Sequence, residues 1–228
     1  EIMHCIACAQ GCFDNLFKLK HVECLCNPLA GFEGTRPVKK VTSPKKILVA
    51  GAGPAGMTAA ITAHSRGHDV IIYESQERPG GQLYLAAAPP GRKEFEQLAL
   101  DLETQISLKK IPIVLKTKVN QELIKKENPD AVIIATGAKP IIPEIPGIDL
   151  PHVVESWDVL LNKVFTGKKV AIIGGGSVGV ETALFLAGKG TISAEAIKFL
   201  LVNKAEDLET IFEMATQGTK QITLIEML

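Results

Sequence analysis

An α/β fold with parallel sheet is predicted for this 228-residue chain by three features of its sequence. Two apolar runs, Ile47-Leu48-Val49-Ala50 and Val170-Ala171-Ile172-Ile173, each lead directly into a glycine-rich turn. Each turn is followed by a segment of helical character. Each helix is followed, sooner or later, by another apolar run that ends in a glutamate. Continuous apolar runs of this length mark strands buried on both faces, as parallel sheets require.

Length and composition narrow the function classes. The chain is long enough for one large domain or two small ones with a real core. Basic and acidic residues number 25 each, which leaves no charge footprint for nucleic acid or for an anionic membrane. Twenty glycines with only 5% aromatic residues suit a nucleotide-binding α/β protein. The longest apolar stretch, Val170 to Gly188, is broken by Glu181 and a glycine triplet, so it reads as strand, turn and helix rather than a membrane span. No secretory signal precedes the first motif, and a cytoplasmic location is expected. The opening Glu1-Ile2-Met3-His4, without an initiator methionine, suggests excision from a longer chain.

The first glycine turn follows a Lys-rich linker, Val38 to Lys46, and reads Gly51-Ala52-Gly53-Pro54-Ala55-Gly56. Gly51 permits the tight turn, Gly53 lets main chain approach a pyrophosphate, and Gly56 allows helix and strand to pack closely. The helix expected from Met57 to Ser65 aims its free N–H groups at the phosphates. A second strand, Val70 to Tyr73, ends at Glu74, about 20 residues after the glycines, where a ribose-binding acid belongs. Arg78-Pro79-Gly80-Gly81-Gln82 offers close main-chain approach beside an amide. A helix from Lys93 to Lys109 is expected to bury positions 95, 98, 102 and 106. A strand from Ile111 to Val119 follows, and then Asp130 to Ala135 runs into Thr136 and Gly137. These last two lie at a carboxyl strand end, where ligands bind in open α/β sheets.

Prolines 140, 143, 146 and 151 mark a stiff connection, after which the pattern repeats. The second turn is Gly174-Gly175-Gly176-Ser177-Val178-Gly179. Two fingerprints in one chain imply two dinucleotides and hence electron transfer between cofactors. Glu181 is read as complementing the N-terminus of the next helix, in its first turn, rather than as a catalytic neighbour. The expected second strand is delayed by an insert, 191–218, with two helices. Ser193 caps the first, and Leu208, Ile211, Phe212 and Ala215 give the second one apolar face. Gln221 to Ile225 then supplies the strand, and Glu226 is its delayed ribose acid, favouring NAD over NADP.

All five cysteines lie near the N-terminus, at positions 5, 8, 12, 24 and 26. Such crowding points to metal or cluster ligation rather than disulfides. Cys5, Cys8 and Cys12 let one loop wrap three thiolates, and Cys24 closes the cage. Phe13, Leu16, Phe17 and Leu19 between them would exclude water from the sulfurs. By spacing alone, a structural zinc site and an iron–sulfur cluster stand level, and His4 or His21 could replace a thiolate. Cys26 is left over, as a spare thiol or an alternative ligand.

The order Cys5…Cys8…Cys12…Cys24, Asn27-Pro28, Gly51 to Gly56, Gly80-Gly81-Gln82 and Ala135-Thr136-Gly137 resembles the C-terminal half of the 2,4-dienoyl-CoA reductase and 2-enoate reductase family of NADH:flavin oxidoreductases. Gly190-Thr191-Ile192-Ser193 and the closing Glu226-Met227-Leu228 resemble the clostridial 2-enoate reductase type. The resemblance implies a Rossmann-like FAD-binding domain (46–150) and a partial second Rossmann-like NAD-binding domain (151–228), preceded by a short Cys-rich cluster-binding segment with its linker (1–45). It implies that Cys5, Cys8, Cys12 and Cys24 ligate a [4Fe–4S] cluster. FAD would be held by Gly51, Ala52, Gly53, Pro54, Ala55, Gly56, Glu74, Ser75, Gly81, Gln82, Arg92, Val119, Ala135, Thr136 and Gly137. NADH would be held by Gly174, Gly176, Ser177, Val178, Gly179 and Glu226.

An N-terminal TIM barrel carrying FMN, outside this chain, would receive the electrons and reduce an activated C=C bond. A homo-oligomeric full-length enzyme is compatible with this resemblance. Relatives resembling trimethylamine dehydrogenase hold ADP in place of FAD and dispense with NADH, and a zinc-stapled nucleotide-binding interaction domain is the non-enzymatic alternative. Cys26 departs from the family pattern, which has an apolar residue there. The chain also ends before the rest of the NAD-binding domain, so hydride transfer by it alone is not expected, and no catalytic acid or base is assigned.

Overall fold

The computed structural model describes residues 3–226; Glu1, Ile2, Met227 and Leu228, the last two part of the resemblance above, lie outside the described residues. Two compact units emerge, one running up to Ala87 and including Arg92–Ile141, the other comprising Ala88–Gly91 and the chain from Ile142 onward. The cysteine segment clusters with the first unit. Both units are parallel α/β structures.

The first unit opens with a short helix, α1 (Phe13–Phe17), and continues as β1 (Lys46–Ala50), α2 (Pro54–Ser65), β2 (Asp69–Tyr73), α3 (Leu83–Ala87), α4 (Glu94–Leu108), β3 (Ile113–Val114), α5 (Gln121–Glu127) and β4 (Ala131–Ile134). Its four strands are parallel in the order β3-β2-β1-β4, as in one half of a doubly wound sheet. Leu48, Val49 and Ile72 are fully buried in the sheet and Met57 beneath it on α2. Each stabilises the fold by roughly 1.5–3 kcal/mol relative to exposure. On α4, Leu98, Leu102 and Ile106 are buried as their spacing predicts, with Phe95 partly so. The strand expected over Ile111 to Val119 is reduced to two residues. Pro112 offers no ladder donor, and Lys116 turns the chain away with φ +53°.

The second unit contains α6 (Ser156–Leu160), β5 (Lys169–Ile173), α7 (Ser177–Lys189), α8 (Ala194–Asn203), α9 (Leu208–Thr216) and β6 (Gln221–Ile225). Its β5–β6 pair repeats the β1–β2 pair residue for residue. Lys46 opposite Asp69 through Ala50 opposite Tyr73 becomes Lys169 opposite Gln221 through Ile173 opposite Ile225. The first glycine of each loop bonds the end of the second strand: Gly51 N–H to Tyr73 O and Gly174 N–H to Ile225 O, both 2.8 Å. The delayed strand therefore occupies the predicted place.

The insert forms as two helices. Ser193 accepts the Ala196 N–H at 3.1 Å, and Asp207 accepts the Thr210 N–H at 2.9 Å. On α9 only Ile211 of the four expected apolar-face residues is buried; Leu208 and Phe212 are exposed. The two ends of the insert touch, because Gly190 O accepts both the Thr219 N–H at 2.8 Å and its hydroxyl at 3.0 Å. Replacing 191–218 with two glycines is expected to leave the melting temperature within about 4 °C, the shift that roughly 1 kcal/mol gives in a protein of this size. Loss of cooperative thermal unfolding in that variant would show that the insert is part of the core.

Glu181 does not complement the N-terminus of α7. Helix α7 starts at Ser177 and has no acidic residue in its first turn, so Glu181 lies beyond the reach of the helix N-terminus.

Candidate functional site

The first glycine loop is built for close approach at one point only. Gly51 has φ +106°, and a Cβ there would overlap the Ala135 carbonyl oxygen; a Cβ on Gly56 would overlap the Gly51 carbonyl oxygen. Both positions exclude side chains by packing. Gly53 differs: its φ is −74°, it caps α2, and a Cβ built on it meets nothing within 4 Å. Pro54 occupies the first turn of α2, where its missing N–H costs nothing. Space is thus left open at the N-terminus of a helix, where a diphosphate would lie.

Two further segments, the Gly80-Gly81-Gln82 turn and the chain after β4, meet this loop. Gly80 N–H donates to Ala52 O at 2.8 Å. Gly81, at φ +55°, sits so that a Cβ on it would lie 3.1 Å from the Gly53 Cα. The Gln82 amide nitrogen donates to Ala138 O at 3.0 Å, tying this turn to the segment Ala135-Thr136-Gly137 at the end of β4. Thr136 and Gly137 are exposed. Val119 packs against Leu48, Ala50 and Tyr73, and Arg92 stacks over Phe95 at the start of α4, 4.8 Å from its ring centroid.

Glu74 has a task that the motif does not announce. It is buried, and its carboxylate accepts the Ala52 N–H at 2.7 Å, the Gln76 N–H at 2.8 Å and the Ser75 hydroxyl at 3.1 Å. The acid therefore braces the loop from behind, with three of its roughly four acceptor sites used by the protein. Glu74→Ala would strand the fully buried Ala52 N–H, at a cost of about 1–3 kcal/mol. Urea denaturation of the flavin-free chain measures this, and a wild-type midpoint would refute the brace.

The second loop repeats the arrangement in an open form. A Cβ on Gly179 would overlap the Gly174 oxygen, and one on Gly176, the α7 cap, would meet nothing. Ser177 and Val178 begin α7. Glu226 hydrogen-bonds the Gly175 N–H as Glu74 does Ala52, but it is exposed.

In the cysteine segment, Glu23 N–H donates to Gly11 O at 2.7 Å, drawing the neighbours of Cys12 and Cys24 together. Ala7 and Ala9 have positive φ, which curls the chain around Cys8. Cys5 and Cys24 are exposed, Cys8 and Cys12 half-buried, and all are free thiols. Cys26 is buried in the apolar core. Burial pushes its thiol up to about 11 against the pull of the Ile6 amide, and the nearby Cys24, Cys8 and Cys5 thiols add to the rise. Among the described residues, no three His, Cys, Asp or Glu side chains close on a single-ion site. The expected apolar cover is not formed: Phe13, Leu16, Phe17 and Leu19 are 53–96% exposed and form a rim on the surface. A five-residue helix has no second layer to pack against.

Residues 45–228 match the family described as pyridine nucleotide-disulphide oxidoreductase. The chain belongs to that family. Its fold is the one that binds FAD and NAD(P)H, and the domain is an oxidoreductase domain. The chain is 43% identical over 231 residues to a metal reductase of Desulforamulus reducens, matching 100% of this chain and 35% of that protein. It is 41% identical over 228 residues to an NADH oxidase of Thermoanaerobacter brockii, matching 96% of this chain and 35% of that protein. A solved 2-naphthoyl-CoA reductase in complex with 2-naphthoyl-CoA superposes with TM-score 0.78 at 31% identity, over 97% of this chain and 34% of the other. The chain thus spans about a third of the relatives it matches. No helix among the described residues is long and apolar enough to cross a membrane.

Proposed function

We propose that this chain is the electron-entry part of a larger NADH-dependent flavin oxidoreductase of the 2-enoate and 2,4-dienoyl-CoA reductase kind, holding one FAD and one [4Fe–4S] cluster side by side. The observation that carries this reading is the opening at Gly53, free of side chains and framed by Gly81, Gln82 and Thr136, in the unit that also contains the cysteine segment. The donor set fits as well: Cys5, Cys8, Cys12 and Cys24 supply four thiolates, and Cys26 is set apart by burial. When bound, a flavin exchanges electrons in pairs with a nicotinamide and singly with a cluster, which is why the two groups belong together.

The roles of the chain's own residues follow. Gly51, Ala52, Gly53, Pro54, Ala55 and Gly56 hold the diphosphate against the α2 N-terminus. Glu74, oriented by Ser75, accepts from ribose hydroxyls, and Gln82 keeps its amide oxygen as an acceptor beside Gly81 and Ala135-Thr136-Gly137. Arg92 and Val119 complete the FAD set. Gly174, Gly176, Ser177, Val178 and Gly179 form the NADH cradle, where the Glu226 carboxylate would repel a 2′-phosphate. In this reading 1–45, 46–150 and 151–228 are the cluster segment, FAD domain and NAD domain.

The relatives' names differ in what is reduced, while the matched region is shared, which supports electron input as this region's contribution. The remaining two-thirds of a full-length protein would supply an FMN-bearing TIM barrel and the site for an activated C=C bond. The exposed rim of Phe13, Leu16, Phe17 and Leu19 is the apolar face such a domain would cover. Anaerobic titration of the full-length protein tests this: NADH should bleach both the flavin band and the cluster shoulder, at far lower concentration than NADPH. A cluster that bleaches without flavin, or a colourless zinc protein, would contradict it.

A further inference from the structure

The strand of chain that carries Cys5 is fastened by a polar ladder on α4. Gln97, Asp101 and Gln105 are spaced four residues apart and so share one face of that helix. Asp101 is only 9% exposed. Its Oδ2 accepts the His4 main-chain N–H at 2.8 Å, and the His4 ring Nδ1 lies 3.0 and 2.9 Å from its two oxygens. Gln97 donates to Oδ1 at 3.0 Å, and one turn further on the Gln105 amide meets the Met3 sulfur at 2.6 Å. Burial alone would raise the Asp101 carboxyl, but the donors from His4 and Gln97 hold it below its ordinary value.

On the far side of Cys5, Ile6 packs against the apolar core that contains the buried Cys26. Cys5 is therefore an exposed thiol between two anchored neighbours. The same helix serves the flavin cradle. A Cβ on Gly80 would lie 3.0 Å from the Ala99 Cβ, so α4 backs the Gly80-Gly81-Gln82 turn two residues from Asp101.

We propose that Asp101 is a positioning residue for the iron–sulfur centre: through His4 it fixes the Cys5 thiol to the helix that also backs the flavin turn. This rests on the cluster-and-flavin reading above. One rigid helix then sets the separation of the two redox groups, on which electron transfer depends steeply.

The test uses the full chain reconstituted anaerobically with ferrous iron, sulfide and FAD, as wild type, Asp101→Ala, Asp101→Asn and His4→Ala. Loss of the cluster to a chelator is timed, and the EPR spectrum of the reduced cluster, flavin content and melting temperature are recorded on the same samples. Asp101→Ala is expected to lose its cluster about tenfold faster or more, the range in which partners of metal ligands act, with altered g-values and wild-type flavin content. Asp101→Asn keeps an acceptor for the His4 N–H, and His4→Ala keeps that N–H without the ring, so both should fall between. Equal chelation rates and identical spectra overturn the proposal. So does a parallel fall of cluster, flavin and melting temperature, which marks a general staple. If Asp101→Ala does not fold, the two milder variants decide by the same criteria. A wild-type chain that takes up flavin but no iron overturns the cluster reading itself, before any variant is compared.

Discussion

Gly53→Val is expected to abolish flavin retention while the flavin-free chain still folds. The expectation follows from the contrast among three glycines of one loop. Gly51 and Gly56 are closed to side chains by main-chain oxygens, so substitution there damages the strand–helix packing itself. Gly53 has an ordinary φ and open space beyond it. A valine there costs about 1 kcal/mol as a poor helix cap, but its methyl groups fill the space a diphosphate needs. Gly56→Val, by contrast, should cost about 1–3 kcal/mol or more through overpacking. Flavin content after reconstitution and the urea midpoint without flavin separate these effects. A Gly53→Val chain that keeps its flavin would place the nucleotide elsewhere.

Cys8→Ser is expected to eliminate the cluster and leave the flavin in place. The serine hydroxyl is a poor substitute for a thiolate ligand, and the fifth cysteine does not compensate. Cys26 is buried within the apolar core, away from solvent. Because Cys8 is only half-buried and outside the apolar core, its loss should change the stability of the iron-free chain by no more than about 0.5 kcal/mol. Cys26→Val is the matching control, filling the core with similar volume while leaving all four proposed ligands. Iron and acid-labile sulfide should fall to background in Cys8→Ser and stay at wild-type levels in Cys26→Val. The reverse pattern would make Cys26 a ligand.

Much of this arrangement is legible in the sequence because strand, glycine turn, helix and terminal acid recur in a fixed order. That order located β6 after the long insert, and the register of β5 with β6 bears it out. Other features depend on geometry that no spacing reveals. The loop-bracing role of Glu74 arises because β2 ends directly behind Ala52, whose N–H has no other partner in the loop. The strand at Ile111 to Val119 looked continuous by composition, but Pro112 and the turn at Lys116 cut it short. Phe13, Leu16, Phe17 and Leu19 looked like cover because apolar residues between ligands usually are; their exposure follows from the shortness of α1. The Asp101 anchor did leave a trace. Gln97, Asp101 and Gln105 form a polar stripe beside the apolar stripe of Leu98, Leu102 and Ile106, on a helix whose other polar residues lie mainly outside.

The coexistence of a thiolate-held cluster and a flavin in one polypeptide is tested most directly by metal and flavin analysis of the wild-type chain purified without oxygen. Iron, sulfide and FAD should be present in the proportions of one [4Fe–4S] cluster to one flavin, with zinc at background. Stoichiometric zinc on the cysteines with no flavin would contradict the account.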